Sequence, residues 1–222
     1  MEIHISEKER QAAQSILAHL AQGRTEQGLE ELRALKDEAY AEIPTRQRQS
    51  RGITWVLQRI SDLLAVECRD VEQIRNVADS LFQRLASDDR LIGIPIFLMA
   101  EFGKKNPAGV LEFFLQAADS EDWVVREFAA AGFRKLIRPG REIALPWLKQ
   151  VAQSDKPNLR RFVSETLRPV ADNQWLQKEP ETSLEILRSL FREVHPFPRT
   201  SVGNNLSDLA RRNPELILAI VK

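Results

Sequence analysis

Apolar residues along about the last 140 positions of the chain follow a helical pattern that returns every 34–39 residues. Each copy opens with an arginine, at Arg126, Arg160 and Arg199, and small or apolar residues follow three, seven and ten positions later. Because these offsets lie along one face of a helix with 3.6 residues per turn, each copy predicts an amphipathic helix. The three columns contain Ala129, Val163 and Val202; Phe133, Leu167 and Leu206; and Leu136, Val170 and Leu209. A helical hairpin repeated at this period predicts an α-solenoid, whose units bury one another's apolar faces.

A looser copy of the pattern begins at Arg90, and the chain before it is helical without a clear repeat. Apolar spacing predicts helices over 7–21, 26–40 and 45–66, and a fourth that begins after Asp70. We expect Gly23 to end the first helix, and Thr45 and Asp70 to cap the third and fourth. No segment alternates apolar and polar residues between turn signals, so no strands are expected.

Prolines mark the start of the second helix in each repeat. The boundaries lie at Asn106-Pro107, Pro139-Gly140, Glu179-Pro180 and Asn213-Pro214. Proline suits the first turn of a helix because its ring fixes φ and its missing N–H has no partner there. Pro95 falls inside the first helix of the Arg90 copy, so this helix is expected to kink there or to begin near it. No low-complexity linker interrupts the chain, which predicts one α-solenoid domain over 1–222, with divergent helices in 1–85 and clearer repeats in 86–222.

Composition excludes several classes of protein. With 43% hydrophobic residues the chain can bury a large core, yet it has no run of about 18 uncharged apolar residues that could span a membrane. The first ten residues, MEIHISEKER, are charged and lack the apolar segment of a signal peptide. Cys68 is the single cysteine, which excludes an intramolecular disulfide and a zinc site built from cysteine pairs. We therefore expect a cytoplasmic protein.

The charge is zero overall but unevenly distributed. Residues 1–122 contain 15 Lys and Arg against 21 Asp and Glu, a balance of −6, and residues 123–222 contain 17 against 11, a balance of +6. The basic half coincides with the clear repeats, as expected of a surface that binds a polyanion. The simpler alternative is that the arginines cover solvated helix faces.

Motifs for catalysis are scarce. The sequence has no phosphate-binding glycine loop, no GxSxG, no HExxH and no cluster of metal ligands, and His4, His19 and His195 are scattered, so neither a metal nor a cofactor is expected. Trp123 and Glu127 stand four residues apart at the start of a predicted helix and share one face. An aromatic ring beside a carboxylate suits a cationic ligand. In the alternative, Trp123 faces the interior and Glu127 pairs with a neighbouring arginine, either Arg126 or Arg161.

Three segments resemble the HEAT-like repeat DNA alkylation repair family, whose two bacterial types are called AlkC and AlkD. These segments are DWVVREFAAAGFRKL (122–136), NLRRFVSETLRP (158–169) and RTSVGNNLSDLARRNPELIL (199–218). The last is the most specific, and the likeness extends over roughly 85–222. Before that it rests on IPTRQRQ (43–49). The resemblance implies an all-α fold in which HEAT-like hairpins form a curved, right-handed superhelix.

The resemblance also implies a function. The family contains glycosylases that excise N3- and N7-alkylated purines, whose positive charge makes them good leaving groups, and the AlkD type is understood to grip the DNA backbone without flipping the base into a deep pocket. Trp123 matches a tryptophan that lines the lesion, Glu127 matches the catalytic aspartate and Arg161 matches an arginine that binds the backbone. Asn204 stands where that type has a second lesion-facing tryptophan.

The leading hypothesis is therefore that a basic concave face binds double-stranded DNA and that the protein hydrolyses the N-glycosidic bond of cationic alkylpurines. Its catalytic candidates are Trp123 and Glu127. Its candidate nucleic-acid contacts are Arg126, Arg160, Arg161, Arg168, Arg199 and Asn204. Two adjacent arginines cannot both point inward from one helix, so at most one of residues 160 and 161 is expected to contact phosphate closely. The alternative is a non-catalytic HEAT-like scaffold that binds a protein partner or structured DNA through the same face.

Overall fold

The computed structural model describes residues 5–48, 52–85 and 90–221, and within these ranges every regular element is a helix. The α-helices are α1 (Glu7–Ala21), α2 (Thr25–Ala41), α3 (Ile53–Glu67), α4 (Val71–Arg84), α5 (Gly93–Gly103), α6 (Leu111–Ala118), α7 (Trp123–Ile137), α8 (Arg141–Val151), α9 (Pro157–Thr166), α10 (Pro180–Leu187), α11 (Pro196–Ala210) and α12 (Pro214–Val221). Short 3₁₀ segments lie at Thr45–Gln47, Ala108–Val110, Ala171–Gln177 and Arg188–Leu190. The prediction of an all-α fold is confirmed.

The helices group into two compact units, Met1–Lys105 and Asn106–Lys222. In the first unit α1 packs against α2 and α3, and α5 packs against α3 and α4. Helix α5 is buried along almost its whole length, with Phe97 and Phe102 fully enclosed. Pro95 is its third residue, so the helix begins near this proline, one of the two outcomes expected. The Ser61 hydroxyl donates to the carbonyls of Leu57 (2.8 Å) and Ile94 (3.1 Å), which anchors the start of α5.

The predicted helix boundaries in this unit are correct with one exception. Gly23 ends α1 with a φ of +71°, a conformation that glycine adopts without strain, and the Asp70 side chain accepts from the Gln73 amide at the start of α4. The prediction that Thr45 caps a long helix is wrong. Thr45 instead begins a 3₁₀ turn, and α3 starts only at Ile53. Residue 49 of the IPTRQRQ segment lies outside the described residues.

In the second unit α7 packs against α9, and α9 packs against α11. These three helices and the segment that follows α9 carry the repeated columns. Of the nine inward positions predicted, Val170 and Leu206 are half-buried and the other seven are buried, and Ala129, Val163, Phe133, Leu167 and Leu209 have no exposed surface. Pro180 and Pro214 are the first residues of α10 and α12, as predicted. The apolar period therefore locates the core of this unit correctly. Whether the whole chain behaves as one domain stays a prediction.

Candidate functional site

A connected set of charged side chains runs across α7, α9 and α11, and we call it the ion-pair cluster. It consists of Glu127 from α7, Arg161, Glu165 and the following Arg168 from the α9 segment, and Asp208 from α11. Their closest N···O distances are 2.5 Å for 127–161, 3.9 Å for 161–165, 3.2 Å for 165–168 and 2.6 Å for 168–208. Because the repeat columns fix how the three helices pack, the same packing lines up these polar positions.

Trp123 lies on α7, one turn before Glu127. It is the first residue of α7, directly after Asp122, whose side chain accepts from the Val124 amide at 2.7 Å and caps the helix. The tryptophan is 62% exposed. The alternative in which Trp123 faces the interior is therefore wrong, and the ring is accessible to a ligand.

Glu127 follows one turn later and pairs with Arg161 rather than with Arg126. Its Oε1 accepts from Nη2 of Arg161 at 2.5 Å, while the Glu127 side chain is 44% exposed and that of Arg161 is 21% exposed. A pair this open contributes about 0–1 kcal/mol, because water screens it and ordering two long side chains costs entropy. The carboxylate is thus occupied but accessible, so a competing charge can displace the arginine.

At its other end the cluster is far more buried. Asp208 has 8% of its side chain exposed and accepts two hydrogen bonds from Arg168, and Ser201 donates to the Glu165 carboxylate. Burial, the largest single influence, would lower the pKa of Arg168, but the hydrogen bonds and charges of Asp208 and Glu165 together outweigh it and raise that pKa above the ordinary value. This end therefore cross-links α9 and α11 as a structural element.

Arg134 also belongs to this surface, and sequence reasoning missed it. Its Nη1 donates to the Glu165 carbonyl at 3.1 Å. Burial lowers the pKa of its guanidinium, while the nearby carboxylates of Glu165 and Glu127 oppose that shift. Its spacing of seven residues from Glu127 is the signal that could have placed it on the same face.

Arg126 and Arg160, at equivalent repeat positions, have a different role that we call the loop pin. Each donates through Nη1 to a carbonyl six residues earlier, Arg126 to Ser120 at 2.7 Å and Arg160 to Ser154 at 2.8 Å. Arg160 also makes two hydrogen bonds to Glu193, at 2.5 and 3.2 Å. That contact lowers the pKa of the Glu193 carboxyl and raises the pKa of Arg160. Both guanidiniums are thus engaged within the protein.

Arg199 and Asn204 lie on α11 with exposed side chains. In the part of the chain that the structure describes, neither side chain has a hydrogen bond or ion pair, so both are available to a ligand. The next residue, Asn205, is fully buried and donates to the Ser164 carbonyl at 2.8 Å. The consecutive asparagines therefore divide between surface and core.

Residues that could hold a metal do not converge. Among the described residues no group of three or more His, Cys, Asp or Glu is positioned to bind a metal ion. His19 lies 3.4 Å from Glu31, His195 caps α11, and His4 lies outside the described residues. Burial raises the pKa of the Cys68 thiol to about 11, which disfavours the nucleophilic thiolate.

Across residues 5–48, 52–85 and 90–221, no helix is long and apolar enough to cross a membrane.

Comparison with known proteins gives one family and three similar structures. The family described as DNA alkylation repair enzyme matches residues 29–222. AlkD2 from Streptococcus mutans is 21% identical to this chain. The superposition covers 86% of this chain and 88% of AlkD2, with a TM-score of 0.64. The smu.31 protein from Streptococcus mutans UA159 is 21% identical, with 84% and 89% coverage and a TM-score of 0.63.

A third structure is the alkylpurine DNA glycosylase AlkC from Pseudomonas fluorescens, bound to DNA that contains an abasic site analogue. It is 19% identical, with a TM-score of 0.53 over 96% of this chain and 57% of its own. Because the identities are this low, the three structures establish the fold alone. No curated protein matches the sequence.

Proposed function

This chain belongs to the DNA alkylation repair enzyme family, and from that premise we propose that it binds double-stranded DNA and hydrolyses the N-glycosidic bond of cationic N3- and N7-alkylpurines. One observation carries the proposal: an exposed aromatic ring, Trp123, stands one turn from a half-exposed carboxylate, Glu127. A cation is attracted to the ring face by its quadrupole and to the carboxylate by direct Coulomb attraction. A base that carries a positive charge fits this pair of groups.

The reaction needs little catalytic assistance from the protein. When the bond between C1′ and the alkylated base breaks, its electron pair moves to the base and neutralises it, so the leaving group needs no proton. The sugar becomes an oxocarbenium ion, which the carboxylate of Glu127 stabilises. Water then adds to C1′, and its proton passes to solvent. The products are the neutral alkylated base and an abasic site.

Arg161 couples DNA binding to this site. Since its pair with Glu127 is weak and open, a backbone phosphate can take over the guanidinium and leave the carboxylate facing the lesion. Arg199 and Asn204, both exposed, extend the contact along α11. The guanidiniums of Arg126, Arg160 and Arg168 are already hydrogen-bonded within the protein, so phosphate binding rests first on residues 161 and 199.

A second candidate function is binding without catalysis, to structured DNA or to a protein. The observation that favours it is the ion pair itself, because Arg161 occupies Oε1 of Glu127. The two candidates differ in whether the carboxylate is released when DNA binds.

The deciding experiment measures release of 3-methyladenine and 7-methylguanine from methylated duplex DNA. Wild type is expected to release them, and Glu127→Gln is expected to be at least about 100-fold slower, since a neutral amide cannot stabilise the cationic sugar. Glu185→Gln is the matched control, because Glu185 is also an exposed carboxylate in an ion pair, with Lys149 at 2.7 Å. No release by folded wild type contradicts the glycosylase proposal, and salt-dependent DNA affinity then distinguishes DNA from protein as the partner.

A further inference from the structure

A cavity of about 600 Å³ lies in the second unit, away from Trp123. It is bordered by the end of α7, by the segment that follows α9 and by the end of α11. Its charged lining residues are Arg138, Lys178, Glu179, Arg211 and Arg212. We call it the basic cavity.

The positive charge in the basic cavity is largely uncompensated. The side chains of Arg138, Lys178 and Arg212 are exposed, and among the described residues they have no hydrogen bond or ion pair. Arg211 lies 3.4 Å from Asp208, which Arg168 already engages. The one lining carboxylate, Glu179, is 3.3 Å from Arg141.

Helix ends account for part of this charge. Arg138 and Arg211 are the C-caps of α7 and α11, and Lys178 caps a 3₁₀ segment, positions where a cation meets the negative end of a helix dipole. Each such end carries only about half an elementary charge. Three ends therefore offset about 1.5 positive charges, so capping leaves a surplus that an anion can neutralise.

The cavity is separate from the proposed catalytic surface. Trp123 is the first residue of α7 and Arg138 follows its last, so the two stand one helix length apart. At about 1.5 Å per residue this is roughly 22 Å. A ligand in the basic cavity therefore need not touch Glu127.

We propose that the basic cavity binds a phosphate group. Guanidinium groups match the geometry of phosphate oxygens, and Lys178 adds a compact point charge. The phosphate comes either from free phosphate or from the backbone of a DNA duplex. This site is independent of base excision, so it stands whether or not the glycosylase proposal holds.

The first arm of the test is thermal unfolding in sodium phosphate and in sodium chloride of equal ionic strength. A ligand that binds only the folded protein raises Tm by mass action, so phosphate is expected to raise the wild-type Tm above its value in chloride. The combined variant Arg138→Gln, Lys178→Gln, Arg212→Gln is expected to lose this difference. A charge-matched control, Arg24→Gln, Arg84→Gln, Lys105→Gln, removes two arginines and one lysine that are exposed elsewhere and is expected to keep it.

The second arm is affinity for an unmethylated duplex across a range of salt concentrations. One lost backbone contact reduces the slope of log affinity against log salt by about one, so the cavity variant is expected to show that reduction and the control is not. A phosphate-specific rise in Tm supports free phosphate, and a changed slope alone supports the DNA backbone. Absence of both overturns the proposal. Should the combined variant fail to fold, Arg212→Gln alone is tested in the same way.

Discussion

Arg160 and Arg161 are adjacent on α9, yet their surroundings differ. Arg160 reaches back to Ser154 and holds Glu193, a carboxylate with 6% of its side chain exposed. Arg161 points across to Glu127, which is 44% exposed. The arginines themselves are similarly buried, with 18% and 21% of their side chains exposed, so the difference lies in the partners: Glu193 is sheltered from water, whereas Glu127 lies open one turn from an exposed tryptophan.

The difference shows how periodicity separates structure from function in a repeat protein. Arg160 recurs one repeat earlier as Arg126, and both make the same loop pin. Arg161 has no such recurrence, since Glu127 stands at the equivalent position and is its partner. At positions 126 and 160 the repeated arginine maintains the unit. The third copy, Arg199, makes no side-chain hydrogen bond among the described residues, so it can serve a ligand as Arg161 can.

The largest expected effect is in the buried end of the ion-pair cluster. Arg168→Met should lower the free energy of unfolding by about 3 kcal/mol, because it removes the closest cation from two buried carboxylates, Asp208 and Glu165. Urea denaturation measures this loss as a lower midpoint. Arg188→Met is the control, since Arg188 and its partner Glu181 are both more than half exposed. A loss below 1 kcal/mol for Arg168→Met would mean that this end is not structural.

Breaking a loop pin should cost less. Arg160→Met is expected to lower the free energy of unfolding by about 2 kcal/mol, because the Ser154 carbonyl loses its donor and Glu193 loses its cation. The same urea titration checks this value. If Arg160→Met were as harmless as a surface substitution, the recurrence of the arginine would need another explanation.

The pH dependence of the same contact gives a smaller effect. The hydrogen bond from Arg160 holds the pKa of Glu193 below its ordinary value of about 4.3. A carboxyl with a lowered pKa stabilises the folded state fully above its unfolded pKa and loses that contribution as pH falls through the folded pKa. The stability difference between wild type and Arg160→Met should therefore shrink as pH falls from 6 to 3. Titration at fixed temperature measures it, and a constant difference would contradict the assigned partner.

The smallest expected stability effect belongs to Arg161. Arg161→Met should change the free energy of unfolding by less than about 1 kcal/mol, because its pair with Glu127 is open to water. The affinity of the Arg161→Met variant for duplex DNA should nevertheless fall, and the slope of log affinity against log salt concentration should be reduced by about one. Stable protein with weakened DNA binding sharpens the contrast with residue 160. A large loss of stability would place both arginines in the same structural class.

Sequence alone could predict the fold of the repeats because their apolar columns are local. Phe133 and Leu167 are fully buried where the period predicts inward positions. The predicted start of the third helix at Thr45 was wrong. Thr45 is a good cap by residue type, but Gly52, a poor helix former, lies inside the predicted range and directly precedes α3.

The site was predictable only in part. Four-residue spacing placed Trp123 and Glu127 on one face, but the partner of Glu127 was open between two arginines, and helix packing selects Arg161. The Arg168–Asp208 contact joins residues 40 positions apart and depends on how α9 meets α11, which no local pattern encodes. The six contact residues proposed from sequence stay predictions for DNA binding, and the loop pins show that an arginine can recur for a structural reason.

Each loop pin joins an arginine to a carbonyl only six residues earlier, so a duplicated segment that includes this loop carries its closure with it. The ion-pair cluster instead crosses from α7 to α9 to α11, and copying or deleting one repeat would break it. Gene duplication can therefore lengthen such a chain at little structural cost, as expected where each unit contacts only its neighbours. The surface chemistry is not inherited with the unit, and every new arrangement of repeats must acquire its own by point substitution.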